Sequence, residues 1–215
     1  MKAIIFDMDG LMIDSERIYI ECEKSLALSF GRTIREETIW KMMGKKPIES
    51  LTIFKEDLEL DLPAEELLAL RDGMFEERLR KELQAMPGLF EILGEFYGKV
   101  KLAIATGNIR KFMDIVLDGL NIRHYFDVLQ TSEKVVSGKP DPEIYLVAIK
   151  QLEVEPEECI VLEDSGNGAL AGKRAGCYTI AVPSEYTCKN DFSFADYIAR
   201  DLHDAKAHIT QCLEI

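Results

Sequence analysis

"IIFDMDGLMIDSE", residues 4–16, runs an apolar strand directly into three carboxylates. Ala3 to Phe6 are apolar; Asp7, Asp9 and Asp14 follow, with Gly10 between them. In an extended chain residues i and i+2 point the same way, so Asp7 and Asp9 share one side. Two carboxylates ~5 Å apart repel, and such a pair is relieved by a cation or by sharing a proton. Gly10 permits a sharp departure from the strand. A calcium-binding helix-loop-helix does not fit. It needs glycine at position 12 and an acid at position 18, where Met12 and Ile18 stand.

The same kind of apolar run recurs along the chain: "KAIIF" (2–6), "KLAIAT" (101–106), "DVLQT" (127–131), "CIVLE" (159–163) and "YTIAV" (178–182). Helical patterns alternate with them. Apolar residues fall at 109, 112, 113, 116, 117 and 120, and again at Ile144, Tyr145, Ala148, Ile149 and Leu152. "ADYIA" and a helix at about 202–213 close the series. Strands alternating with amphipathic helices predict an α/β fold, a doubly wound parallel sheet with helices on both faces.

Residues 15–86 interrupt this alternation with helix alone. Asp14 or Ser15 begins a helix carrying Ile18, Cys22, Leu26 and Phe30 on one face, and Gly31 stops it. Thr33 and Glu36 have the spacing of a capping box for a second helix. Pro47 and Pro63 suit the first turns of a third and a fourth. The expected organisation is an α/β core of residues 1–14 and 87–215 and an α-helical insertion of residues 15–86. An insertion there hangs over the carboxyl ends of the strands, where open α/β sheets bind ligands.

Three further strand ends carry chemistry. "IATGN" supplies the Thr106 hydroxyl and the backbone N–H groups of Gly107 and Asn108 at a helix start, an arrangement that receives anions. "SGKPDP" (137–142) holds Lys139 before two prolines that stiffen the loop, so its ammonium can balance clustered carboxylates and a phosphate. "CIVLE" ends in Glu163, followed by Asp164; matched to Asp7 and Asp9, this pair suits a hard divalent ion such as Mg²⁺. Gly166 to Ala171 also fit the dinucleotide-binding G-x-G-x-x-A pattern. However, Glu163, Asp164 and Ser165 stand between strand and glycines, and the carboxylates would repel a pyrophosphate.

Composition narrows the class. The chain has 215 residues, 47% of them hydrophobic, and a formal net charge of −13, which disfavours nucleic acid and anionic membranes as partners. No apolar run approaches the roughly 18 residues of a membrane span, and the first apolar run is too short for a signal peptide, so a cytoplasmic location is expected. The five cysteines are odd in number and form no C-x-x-C, which argues against a disulfide framework or zinc site and for buried thiols. His124, His203 and His208 show no ligand spacing. No obligate protein partner is evident.

Taken in order, "DMDGLMIDS", Thr106, Lys139 with "KPDP", and "EDSGNGALAGKRAG" resemble the haloacid dehalogenase superfamily, in its β-phosphoglucomutase-like branch with an inserted helical cap. The likeness spans essentially the whole chain. It implies a Rossmann-like core and a Mg²⁺-dependent phosphatase acting on a small phosphorylated metabolite, a sugar phosphate being expected. By the same resemblance Asp7 is the nucleophile that forms an aspartyl-phosphate, and Asp9 protonates the leaving oxygen and then activates water. Thr106 and the Gly107 amide hold phosphoryl oxygens, and Lys139 pairs with Asp7 and the phosphate. Mg²⁺ binds Asp7, the Asp9 carbonyl and Asp164, with Glu163 close by. Asp14-Ser15 is the hinge into the cap, whose closure excludes water. Dehalogenation is disfavoured, since relatives with that activity lack an acid two residues after the nucleophile.

A mutase of the β-phosphoglucomutase type is the first alternative. It calls for a histidine where Tyr19 stands and an arginine where Pro47 stands. Lys45, Lys46 and Arg110 are candidates to meet an anionic substrate, together with Asn108. A non-catalytic protein binding a phosphorylated metabolite is the second alternative.

Overall fold

The computed structural model describes residues 1–213. The chain divides into two compact units: Met1–Asp14 with the chain from Gln84 onward, and Ser15–Leu83.

The helical unit is α1 (Ser15–Ser29), α2 (Glu36–Met42), α3 (Pro47–Asp57) and α4 (Ala64–Glu82), packed around Leu26, Ile39, Met42, Leu51, Phe54 and Leu67. Ile18, Cys22 and Leu26 are buried on one face of α1, and Gly31, at φ +67, follows its end. Pro47 occupies the first turn of α3. Three local expectations need correction. The residue capping α2 is Arg35, not Thr33, and it makes no side-chain cap bond. Arg35 and Thr38 instead both bond Asp57 at the end of α3, a tie that fixes where α2 begins. Pro63 lies just outside α4, with an extended ψ of 144. The return from the helical unit falls at Leu83/Gln84 rather than at 86/87. Ala85 bridges Ile13, and Met86 N–H donates to the Met12 carbonyl at 2.9 Å, so this stretch is paired into the α/β unit.

The other unit is built on a six-stranded parallel sheet. Its strands are β1 (Ala3–Phe6), β2 (Lys101–Ala105), β3 (Val128–Gln130), β4 (Cys159–Glu163), β5 (Tyr178–Ala181) and β6 (Tyr197–Ile198). Their order is β3-β2-β1-β4-β5-β6, with every neighbouring pair parallel. All residues of β1 and β4 are buried, as continuous apolar runs in a sheet covered on both faces must be. The order steps outward from β1 in one direction and then restarts at β4 on its other side. That reversal is where open α/β sheets form a ligand crevice. The helices of this unit are α5 (Leu89–Phe96), α6 (Arg110–Gly119), α7 (Glu143–Leu152), α8 (Gly166–Arg174) and α9 (Leu202–Leu213).

The sheet face under α7 positions the strand-end carboxylates. Ala3 and Ile5 of β1, Ala103 and Ala105 of β2, and Cys159 and Val161 of β4 pack with Ile144, Tyr145, Ala148, Ile149 and Leu152 of α7. Alternation along each strand then points Asp7 and Glu163 toward the α7 side as well. Alanines at 103 and 105 leave room for α7 to sit close to the sheet. Immediately after β1 the chain turns on itself: Gly10 has φ +73, its N–H donates to the Ile13 carbonyl at 3.0 Å, and Met12 N–H donates to the Met8 carbonyl at 2.9 Å.

Among the described residues, no helix is long and apolar enough to cross a membrane.

Candidate active site and metal centre

Lys139 is the centre of the site. Phe6 is in register with Ile104 of β2 and Leu162 of β4, so the next level brings Asp7 beside Ala105 and Glu163. The Lys139 ammonium reaches all three: it donates to Asp7 Oδ1 at 2.6 Å, to Glu163 Oε1 at 2.5 Å and to the Ala105 carbonyl at 3.1 Å. One cation therefore staples three adjacent strands at the same level. Its own position is set by the loop before α7, where the Glu143 carboxylate accepts the N–H groups of Val136 and Ser137. Burial alone would push the Lys139 ammonium down, but Asp7 and Glu163 outweigh it and hold the group well above its ordinary range. Burial pushes the Asp7 carboxyl well up; Lys139 opposes this, and Glu163 and Asp9 add to it.

Asp9 sits across from the end of β2. The Thr106 hydroxyl donates to Asp9 Oδ2 at 3.1 Å, and the Asn108 amide lies 3.3 and 3.2 Å from its two oxygens. Thr106 also accepts the Asn108 N–H at 3.0 Å, so this backbone donor is already engaged. Gly107, between them, is exposed. The start of α6 is occupied too: the Arg110 N–H donates to the Glu133 carboxylate at 2.6 Å. The Arg110 guanidinium lies along its own helix against Asp114, at 3.0 Å. The structure thus forms two hydrogen-bonded groups at the strand ends, Asp7 and Glu163 on Lys139, and Asp9 on Thr106 and Asn108; neither includes the Arg110 side chain. Lys45 and Lys46 are exposed residues of the helical unit.

In the sequence Tyr145 shows only as a core position of α7. It is fully buried, and its hydroxyl donates to Glu163 Oε1 at 2.6 Å, while the Lys139 ammonium stands 5.0 Å from its ring centre. Burial, with Glu163 next, pushes the phenol well up, so it keeps its proton to donate. Ser165 donates to Glu163 Oε2 from its hydroxyl at 3.0 Å and its N–H at 3.3 Å. Gly168 explains part of the decoy glycine pattern. A Cβ there would come within 1.8 Å of Glu163 Oε1, so only glycine lets α8 pass this close to the buried carboxylate. The apolar periodicity of α7 conceals Tyr145; its placement in the first turn after "KPDP", facing the strand that ends in Glu163, is the available signal.

Asp7, Glu163 and Asp164 are all buried and offer carboxylate oxygens within 4.8 Å of one another. Lys139 is bonded to two of the three, Asp7 and Glu163. A buried cluster of carboxylate oxygens is a donor set that fits a hard divalent cation.

Residues 4–182 match the family model of the haloacid dehalogenase-like hydrolases. The chain is 38% identical over 180 residues to a Thermotoga maritima protein named phosphorylated carbohydrates phosphatase, covering 82% of each. Among solved structures it is similar to CbbY from Rhodobacter sphaeroides in complex with phosphate, with a TM-score of 0.84, 25% identity and 94% of each chain covered. It also shares the fold of β-phosphoglucomutase from Clostridium difficile, with a TM-score of 0.80 and 23% identity over 98% of this chain and 96% of that one.

Proposed function

From the premise that this chain belongs to the haloacid dehalogenase-like hydrolase family, as a phosphoric monoester hydrolase, we propose that it hydrolyses a small sugar phosphate with the help of Mg²⁺. The single observation that carries the reading is the Lys139 ammonium held between Asp7 and Glu163. It keeps a carboxylate pair together in a buried place, beside an acid, Asp9, that stands ready to exchange a proton. The name of the Thermotoga relative and the phosphate bound by CbbY support the substrate class.

Asp7 is the nucleophile. One of its carboxylate oxygens attacks phosphorus and the bond from phosphorus to the leaving oxygen breaks, with Asp9 giving its proton to that oxygen. Asp9, now a carboxylate, takes a proton from water; the hydroxide attacks phosphorus, the bond to Asp7 breaks, and phosphate leaves. Thr106 and Asn108 hold Asp9 where it serves both steps, and Gly107, an exposed residue between them, would offer its N–H to phosphoryl oxygens. Lys139 fixes Asp7 and adds positive charge where phosphoryl transfer needs it. Mg²⁺ would be held by the carboxylates of Asp7 and Asp164 with the Asp9 carbonyl, and would neutralise the charge shared by nucleophile and phosphoryl group. Glu163, both of whose oxygens accept hydrogen bonds, adds charge at the rim of that centre.

The test is phosphate release from p-nitrophenyl phosphate and from a panel of sugar phosphates, with and without Mg²⁺, by the wild type and by Asp7→Ala. Mg²⁺-dependent release that disappears in the variant is expected. Equal rates for the two proteins would sink the reading. Conversion of β-glucose 1-phosphate to glucose 6-phosphate without free phosphate, given a trace of the bisphosphate, would replace it with a mutase.

A further inference from the structure

A second group of metal-ligating side chains lies at the far edge of the sheet, where β5 and β6 meet α9. His208 and Cys212 are four residues apart on α9 and so share one face. His208 Nε2 is 3.5 Å from Cys212 Sγ and 2.9 Å from Tyr178 Oη. The imidazole is fixed in advance. It stacks on the Tyr197 ring with centroids 3.7 Å apart and planes 2° from parallel, and the Tyr197 hydroxyl donates to Asp204 at 3.2 Å. Cys212 is exposed, so an ion can reach the pair from solvent.

We propose that His208 and Cys212 chelate a borderline, thiophilic cation of the Zn²⁺ class, with Tyr178 Oη at its side. Zinc takes sulfur at about 2.3 Å and imidazole nitrogen at about 2.0–2.1 Å in tetrahedral geometry, which sets the two donors about 3.5 Å apart. The observed separation is 3.5 Å. Tyr178 Oη stands 2.9 Å from His208 Nε2 at the side of the pair, and water completes the shell. The thiol proton is released to solvent on binding. Thiolate and imidazole select a different class of ion from the all-carboxylate cluster of Asp7, Glu163 and Asp164, which suits hard cations. The chelate escapes a search for C-x-x-C because its spacing is that of one helical turn, with the third donor supplied by a strand 30 residues earlier. A bound ion would tie α9 to the sheet edge and raise the melting temperature.

Cobalt(II) is the probe, because a thiolate–cobalt bond gives a charge-transfer absorption that carboxylate sites do not. Titration of the full chain with Co²⁺ should produce this band, Zn²⁺ should displace it, and Zn²⁺ should raise the melting temperature. Cys212→Ser and His208→Asn should each lose the band, while Cys188→Ser, at the other exposed thiol, keeps it. No band in the wild type, or a band that survives Cys212→Ser in a folded protein, overturns the proposal.

Discussion

Each unit of this chain buries a carboxylate beside a cation, and the two solve the problem differently. In the α/β unit, Asp7 and Glu163 come from neighbouring strands in fixed register, and Lys139 is bonded to both. In the helical unit, buried Arg71 of α4 is the positive charge that opposes the burial of Glu23 of α1. The Arg71 guanidinium is committed elsewhere, to Asp72 at 2.7 Å and over the Tyr19 ring, which stacks on Phe75 at 4.0 Å. Burial pushes the Glu23 carboxyl up to about 7, with Arg71 opposing. The helical pair can settle its charge by taking up a proton. The strand-borne cluster gathers three buried carboxylates around one ammonium, a donor set that fits a divalent cation. Burial of charge is common to both; the sheet edge adds a geometry that keeps carboxylates close enough for chemistry.

The largest effects are expected at that edge. Asp9→Asn removes the proton donor and acceptor while keeping a group that Thr106 and Asn108 can hold, and should lower kcat by about 10²–10⁴-fold. Gly168→Ala drives a methyl group into Glu163, and a displacement of about 1 Å in such a site costs about 10²-fold in rate. Steady-state kinetics check both, and a wild-type rate in Gly168→Ala would show that the position of Glu163 is irrelevant. Tyr145→Phe keeps the core volume but removes a donor from Glu163. The Mg²⁺ concentration for half-maximal rate should rise by about 10–100-fold, the usual effect of losing a residue that orients a metal site. A lower melting temperature with an unchanged Mg²⁺ dependence would reduce Tyr145 to packing.

The effect in the helical unit is one of stability and leaves the chemistry at the sheet edge untouched. Between pH 4.5 and about 7 folded Glu23 keeps a proton that the unfolded chain has released. Its contribution is therefore fully present below about pH 4.5 and is lost as pH rises to about 7. The loss is about 1.4 kcal/mol per pH unit, about 3 kcal/mol over the window. Glu23→Gln should raise the melting temperature at pH 8 and hardly move it at pH 5. Equal shifts at the two pH values would contradict this account of the helical unit.

The sheet edge is also the more legible of the two regions. Every strand announces itself as a short apolar run, and the candidate site residues Asp7, Thr106 and Glu163 stand where those runs stop. Lys139 is legible because the prolines after it mark a stiff loop. What spacing cannot show is contact between side chains far apart in sequence. Tyr145 reads as one more apolar position of α7 until the register turns Glu163 toward it. Gly168 reads as part of a nucleotide loop until the carboxylate it accommodates is placed. The helical unit hides more, since Asp57 draws Arg35 and Thr38 to itself and so overrides the local capping signal at Thr33.

The central claim is that Asp7 carries the phosphoryl group during turnover. Rapid acid quenching of the wild type with a phosphate-labelled substrate and Mg²⁺, followed by peptide mapping, tests it directly. The account predicts label on the peptide containing Asp7, sensitive to hydroxylamine as an acyl phosphate is, and neither label nor turnover in Asp7→Ala. Turnover that persists in Asp7→Ala, or label on another residue, would contradict it.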